Sequence, residues 1–247
     1  MADSSAQSKA TIQGARVGFA SLSRGIPAAI ALLVGAALLG AGIAQTVGGA
    51  LQARARGALD AIVWDRHTVS ADEIAPEVAD LERADAWWYD PENAFTIGIV
   101  DTELASQSAA AASDHGVLVA AQNAFRQSLA QGPINAAGWT WLAYARLLDH
   151  SPPQAVVDAL STSIEFGRVE PTLWSLRCRI GLALYDSLDP AHRAMLADQI
   201  RLLGRQSPDE LARIGRASGK LGIVIEALLA GDNKTMARFQ NSLRYVK

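Results

Sequence analysis

Few residues in this chain have the types and spacing that catalysis or metal binding requires. The single cysteine, Cys178, excludes an internal disulfide and a cysteine-based zinc site, and we interpret it as a small buried side chain on a helix. No HExxH or H-x3-H pattern puts two imidazoles on one helix face, so we predict no metal site. The four histidines lie in separate segments: His67, His115, His150 and His192.

Two further patterns only partly match phosphate or acid–base sites. Gly215–Lys220 reads GRASGK, one residue short between its glycines for a P-loop, and Leu221 occupies the position of the magnesium-binding hydroxyl. We predict a turn between helices there. Asp209 and Glu210 fall in the first turn of a predicted helix, where acids are favoured by the helix dipole. We therefore predict no catalytic and no cofactor-binding residue, and no enzyme activity.

The element that organises the rest of the chain is an apolar segment near the N-terminus. Gly25–Ala44 reads GIPAAIALLVGAALLGAGIA, without one charged or polar side chain. Twenty helical residues cover about 30 Å, the thickness of a bilayer's hydrocarbon core. With the softer continuation Gln45–Leu51, residues 25–51 are predicted to be a single transmembrane anchor in contact with lipid.

The charges around this segment predict its orientation. Residues 1–24 form a basic, flexible tail with Lys9, Arg16 and Arg24 against one acid. The positive-inside rule then predicts a cytoplasmic N-terminus and a periplasmic C-terminal domain at a bacterial inner membrane. The basic residues Arg54, Arg56 and Arg66 beyond the span reduce this asymmetry.

A cleaved signal peptide is the alternative interpretation of the same segment. Gly42-Ile43-Ala44 resembles a small-x-small cleavage site. The apolar stretch is longer than a usual signal-peptide core, which favours retention. Either processing would deliver the same domain to the same compartment.

Small residues recur at every fourth position of the anchor, namely Ala36, Gly40, Ala44 and Gly48. This spacing puts them on one helix face, where they would let a second helix approach closely. The face predicts self-association or docking onto a larger membrane protein. The alternative is that alanine and glycine are simply common in this span.

The remainder of the chain is predicted to be all-α. It is rich in Ala and Leu, and Asp189-Pro190, Ser207-Pro208 and Glu170-Pro171 each have the form of a helix start. The net charge of −3, without a basic face, excludes a nucleic-acid partner. We predict a juxtamembrane helical linker over 52–74, helical repeats over 75–171 and C-terminal helical hairpins over 172–247.

One junction has the residue pattern of a known repeat family. Pro133 is followed six residues later by Trp139, and Leu142 and Ala143 come next in the pattern W-x2-L-[G/A]. This succession resembles the tetratricopeptide repeat, in which small residues sit at helix crossings and large ones fill the gaps. The residues before the junction follow A-x3-F-x2-[small]-L-x3-P: Ala121, Phe125, Ser128, Leu129 and Pro133.

The chain also departs from the family pattern. The interval from Pro91 to Pro133 is 42 residues, whereas the repeat has about 34. We assign the surplus to the Ala-rich segment Ser106–Gly116. Arg146 occupies the next expected aromatic position. A helical hairpin array without true repeats is therefore the alternative architecture.

The resemblance implies a solenoid of stacked helix pairs whose concave surface binds protein segments. In style the chain is also similar to repeat proteins of bacterial polysaccharide-export and envelope assembly. The resemblance implies a non-catalytic scaffold without a cofactor, and we predict Trp88, Tyr144 and Arg146 as candidate partner contacts. The alternative is an accessory subunit of an integral membrane complex, held mainly by its transmembrane helix.

Three consecutive aromatic residues, Trp87-Trp88-Tyr89, cannot all face one helix core. One interpretation is that one or two of them are exposed, and that they pack on the segment next to the membrane or contact a partner. Alternatively, Trp87 and Tyr89 fill the groove between repeats and Trp88 packs on the first helix.

Overall fold

The computed structural model describes residues 27–56, 71–107 and 111–245, and all regular structure within these ranges is helical. The all-α prediction is confirmed. The predicted tail 1–24 and residues 57–70 of the predicted linker lie outside the described residues. The α-helices are α1 Pro27–Arg56, α2 Ala71–Trp87, α3 Pro91–Gln107, α4 Ala111–Gln131, α5 Ala136–Leu148, α6 Pro153–Phe166, α7 Trp174–Ala183, α8 Pro190–Gln206, α9 Pro208–Ala217, α10 Leu221–Leu229 and α11 Asn233–Tyr245.

Proline marks the first residue of several helices, because its fixed φ suits the first turn and its missing N–H is not needed there. Pro190 opens α8, where the Asp189 side chain accepts a hydrogen bond from the His192 backbone N–H at 2.9 Å. Pro208 is the first residue of α9, where the preceding Ser207 side chain makes no such cap hydrogen bond. The predicted start at Glu170-Pro171 is wrong by three residues, because that segment forms a turn and α7 begins at Trp174.

The helices from α3 to α8 pack as three hairpins that contact one another in chain order. The pairs α3–α4, α5–α6 and α7–α8 each form one hairpin. The first helix of each hairpin also contacts the first helix of the next, so α3 touches α5, α5 touches α7 and α7 touches α9. We call α3, α5, α7 and α9 the odd helices. They form one continuous row.

A small residue stands at the eighth position of three successive odd helices, where the partner helix crosses closely. These residues are Gly98, Ala143 and Gly181. A methyl group on Gly98 would lie 2.7 Å from the Phe125 ring, and one on Gly181 would lie 2.5 Å from a Leu196 methyl. Real carbon contacts are longer than this, so a larger side chain would force the hairpins apart.

The apolar core is a series of clusters between neighbouring hairpins. One cluster joins the end of α1 to α2 and α3, a second joins α3, α4 and α5, a third joins α5, α6 and α7, and a fourth joins α7 to the C-terminal helices. Each cluster contains side chains that are almost completely buried, such as Leu81, Phe125, Val156 and Ile200.

The surplus residues of Ser106–Gly116 mostly lengthen two helices. Helix α3 continues to Gln107, and α4 resumes at Ala111 and runs for 21 residues. Alanine has the highest helix propensity, which explains why this segment extends the helices.

The side chain of Arg177 is completely buried where α5, α6, α7 and α8 meet. Its Nη2 donates to the Ser163 carbonyl at 2.8 Å, and its Nη1 donates to the Gly167 carbonyl at 2.8 Å and to Gln199 Oε1 at 3.2 Å. Its Nε donates to Ser163 Oγ at 3.1 Å and to Thr140 Oγ1 at 3.3 Å. The acceptors of these bonds are neutral oxygens.

The guanidinium stays charged in this environment. Burial lowers the pKa of Arg177 to about 10, while the Glu170 carboxylate acts in the opposite direction. At neutral pH the group is therefore a cation, and its five donors must all be satisfied locally. Gly167 also lies close to the start of α5, since a methyl group there would lie 2.8 Å from Ala136 Cβ.

We expect Arg177→Met to lower the free energy of unfolding by about 3 kcal/mol, because it leaves several buried oxygens without donors. Thermal and urea unfolding of the full chain in detergent micelles would measure this. The matched control is the exposed Arg179→Met, two positions along the same helix, for which we expect a change within about 0.5 kcal/mol. Equal effects of the two variants would contradict the assigned role of Arg177.

Candidate membrane and partner interfaces

Helix α1 is long and apolar enough to cross a membrane, by its length and composition. Its thirty residues extend over about 45 Å. Large apolar side chains such as Leu32 and Leu38 are about 70% exposed. The helix continues five residues beyond the predicted anchor boundary at Leu51, so the first residues of the predicted linker belong to α1.

The predicted small-residue face of α1 is divided into an open part and a covered part. Ala36 is exposed, Gly40 has open space around it, and Ala44 is partly covered. Gly48 is buried against the end of α2, where a methyl group would lie 3.3 Å from the Ala84 carbonyl oxygen. The chain's own α2 therefore covers the last position of this face.

Polar contacts fix the end of α1 to the α2–α3 corner. Gln52 Nε2 donates to Asp90 Oδ2, and Arg56 Nη2 lies 3.5 Å from the same oxygen. Asp90 Oδ1 also accepts the Glu92 backbone N–H at 2.9 Å in the first turn of α3. Arg54 pairs with the buried carboxylate of Asp80 at 3.4 Å. Asp90 thus joins α1 to the start of α3, and Asp80 joins α1 to α2.

Trp88 lies at the C-terminal end of α2 and is 50% exposed. Its neighbours Trp87 and Tyr89 are 52% and 39% exposed. Trp87 therefore does not fill a groove between hairpins, and the exposures favour the interpretation in which the aromatic residues face the membrane side or a partner.

Tyr144 lies at the middle of the row of odd helices. Its ring makes an edge contact with Trp141, with 6.0 Å between centroids. Burial and the Glu103 carboxylate of α3 raise the pKa of Tyr144, while Arg179 of α7 lowers it. The side chain is half-buried between charges of opposite sign on the two neighbouring odd helices.

Arg146 has a structural contact within its own hairpin. Its Nη1 donates to the Ala155 carbonyl at 2.7 Å, which joins the end of α5 to the start of α6. Burial lowers the pKa of Arg146, and Arg126 acts in the same direction. Arg146 thus has a structural contact in the hairpin turn, and its role as a partner contact stays a prediction. Tyr144, Arg146 and Trp88 do not form one cluster, since their contacts involve different helices.

Apart from His67, the histidines that were considered as metal ligands lie in helix contacts and turns. Asp149 Oδ1 contacts His115 Nδ1 and its Oδ2 accepts from Gln122 at 2.9 Å, which joins α4 to α5. His150 occupies the turn after α5 with φ 53°. His192 pairs with Asp189 at 2.9 Å. His67 lies outside the described residues, and among those that are described no group of three His, Cys, Asp or Glu could hold a metal ion.

Two other features of the sequence also have structural explanations. Cys178 is buried, and burial raises the pKa of its thiol. The GRASGK segment comprises the end of α9 and a turn with Gly219 at φ 67°. Lys220 Nζ pairs with Asp186 at 2.6 Å. The prediction of a turn between helices agrees with this geometry.

The sequence pattern did not single out Asp101, yet the pKa of its carboxyl group is raised. Burial on α3, together with the Glu82 carboxylate, raises the pKa of Asp101 to about 6. The available signal was that Asp101 directly follows the uncharged stretch from Phe95 to Val100. The junction residues Gln52 and Asp90 were missed as well, because nothing local to either indicates a contact across 38 positions.

Comparisons of the chain with profiles of known protein families, with curated proteins and with solved structures give no match.

We expect Gly48→Leu to lower the free energy of unfolding by about 2 kcal/mol, because the leucine cannot fit between α1 and the Ala84 carbonyl. The control is Gly40→Leu on the same helix face, where space is open and the stability should not change. Thermal unfolding of the full chain in detergent micelles compares them. If both variants unfold like the wild type, the α1–α2 contact does not contribute to stability.

The raised pKa of Asp101 predicts that the stability of the fold depends on pH. Because its pKa is raised from 3.8 to about 6 in the folded chain, the folded state binds a proton more tightly than the unfolded one. Stability is then lost as the pH rises through this window. We expect Asp101→Asn to be about 1 kcal/mol more stable than the wild type near pH 7.5, with no advantage near pH 4. The exposed Glu165→Gln is the control, and a pH-independent gain for Asp101→Asn would contradict the prediction.

Proposed function

We propose that this chain is a single-pass membrane protein whose helical hairpins form a repeat-like array that binds a protein segment. The observation that carries the proposal is the unbroken row of odd helices. Gly98, Ala143 and Gly181 each stand at the eighth position of their helix. The first helices of three successive hairpins therefore have a small residue at the same position. Such stacked pairs resemble the tetratricopeptide arrangement, whose extended surfaces commonly hold peptides.

The surface of the row has features suited to an extended peptide. Tyr144 and Trp141 supply an aromatic contact at its centre. Glu103 on one side and Arg179 on the other supply opposite charges. Aromatic and arginine side chains are the residues that most often dominate protein interfaces. We therefore propose Tyr144 and Arg179 as contacts of the partner, whereas the Arg146 guanidinium bonds the Ala155 carbonyl of its own hairpin.

The apolar helix supports the membrane part of the proposal. Its large side chains are exposed in the described chain, which is costly in water and favourable in lipid. With the basic residues Lys9, Arg16 and Arg24 before it, we propose a cytoplasmic N-terminus and a domain on the periplasmic side of a bacterial inner membrane. The proposed partner is an envelope protein, and the proposed role is scaffolding without a chemical step.

The second candidate function is that of an accessory subunit held in a membrane complex through α1. The open surroundings of Ala36 and Gly40 favour it, because these two positions remain accessible to another helix while Gly48 is covered. Close approach of a second helix, including that of another copy, requires such small residues.

The two candidates predict different effects of two variants of the full chain. We expect Arg179→Glu to weaken partner capture about tenfold, the effect of reversing one contact charge worth ~1.4 kcal/mol. Proteins that co-purify in gentle detergent would be quantified by mass spectrometry. Ala36→Leu with Gly40→Leu should leave capture unchanged.

The control for charge reversal is Glu165→Arg on α6, which is exposed and lies outside the odd helices. Loss of partners with Ala36→Leu and Gly40→Leu, but not with Arg179→Glu, would favour the accessory subunit and reject the scaffold.

A further inference from the structure

Trp87, Trp88 and Tyr89 form the tip of the corner between α2 and α3, and we call them the aromatic tip. All three are at least 39% exposed, although their rings are among the most apolar groups in the chain. A cluster of this kind on a protein surface marks a site that contacts another phase or molecule.

Helix α2 runs back along α1 toward the apolar segment. Asp80 of α2 pairs with Arg54 near the end of α1. Further along α2, Ala84, Trp87 and Trp88 surround Gly48, which is closer to the apolar segment. Because α2 runs in this direction, its last residues are the part of α2 nearest to the apolar span.

The axial position of the aromatic tip can be estimated from helix geometry. Gly48 is four residues beyond Ala44, the end of the stretch without polar side chains, which is about 6 Å along the axis. The headgroup layer on each side of the hydrocarbon core is about 5–7 Å thick. Trp87 and Trp88 lie beside Gly48, with Cβ atoms 3.8 Å and 3.6 Å from where its own Cβ would be. Their attachment points therefore fall at the depth of the headgroups.

We propose that the aromatic tip is a bilayer contact that holds the helical domain against the headgroup layer beside α1. Tryptophan and tyrosine favour this layer, since one part of each ring system is apolar and another part can donate a hydrogen bond. The inference rests on the proposed membrane span of α1. It adds a second, separate lipid contact contributed by the folded domain.

The polar groups near the aromatic tip are compatible with this contact. Asp85 Oδ1 accepts from Asn93 Nδ2 at 2.7 Å and from the Asp90 backbone N–H at 3.2 Å. Asp90 accepts from Gln52 and Arg56. Both acidic side chains therefore have internal hydrogen bonds, and the indole rings are the most exposed large apolar groups of the corner.

The test uses the full chain in phospholipid vesicles and measures quenching of tryptophan emission by lipids that carry a spin label close to the headgroup. We expect quenching in the wild type and loss of most of it in the double variant Trp87→Phe, Trp88→Phe. The matched control is Trp139→Phe, Trp141→Phe, which removes two indoles from α5 and should keep the quenching. Circular dichroism would establish that each variant retains its helix content.

Alkaline washing tests the membrane span of α1, whereas quenching tests the lipid contact of the aromatic tip. If all three proteins remain in vesicles after alkaline washing but are quenched equally, the span holds and the aromatic tip is not a lipid contact. If the wild type leaves the vesicles on washing, the span itself is wrong. Shielding of Trp87 and Trp88 from aqueous acrylamide by an added membrane protein, and not by lipid alone, would identify a protein contact and overturn the inference.

Discussion

A buried cation with neutral acceptors fixes the middle of this structure. Removing a guanidinium from water costs several kcal/mol, and Arg177 of α7 is tolerated only because its donors meet oxygens that α5, α6 and α8 hold in place. Thr140, Ser163 and Gln199 must therefore keep their positions relative to α7. This requirement ties the second hairpin to the third near the centre of the row of odd helices, where Tyr144 lies. The proposed binding surface depends on a polar contact beneath it.

The parts of the fold that could be predicted are those coded locally. Asp189 before proline defines the start of α8, because the cap and the fixed φ act within one turn. The start of α7 was predicted wrongly, since a turn accommodates Pro171 equally well and Trp174 begins the helix with its indole N–H 3.3 Å from the Arg168 carbonyl. The contact between Gly98 and Phe125 could not be assigned in advance, because glycine alone does not identify the ring that covers it.

The candidate surfaces likewise combine features that the sequence predicts with contacts that depend on neighbouring helices. The apolar character of α1 is a property of composition, and the sequence predicts it directly. Helical spacing puts Gly48 on a face with Gly40, but spacing cannot reveal that α2 returns to cover only one of them. Arg146 was predicted as a candidate partner contact, and spacing could not reveal that its side chain reaches the Ala155 carbonyl across the hairpin turn. Side-chain length and the position of the neighbouring helix decide such outcomes.

The continuity of α1 into its contact with α2 has a mechanical consequence. A flexible linker would let a domain sample a volume set by the square root of linker length, so its surface would meet partners in any orientation. Here the helix continues to Arg56, and Ala55 is buried among the side chains of the next helices. With α1 in a bilayer, the height and tilt of the domain would be set by helix geometry. A partner fixed in the same membrane would then meet the odd helices at one height, and its effective concentration would depend on lateral position and rotation alone.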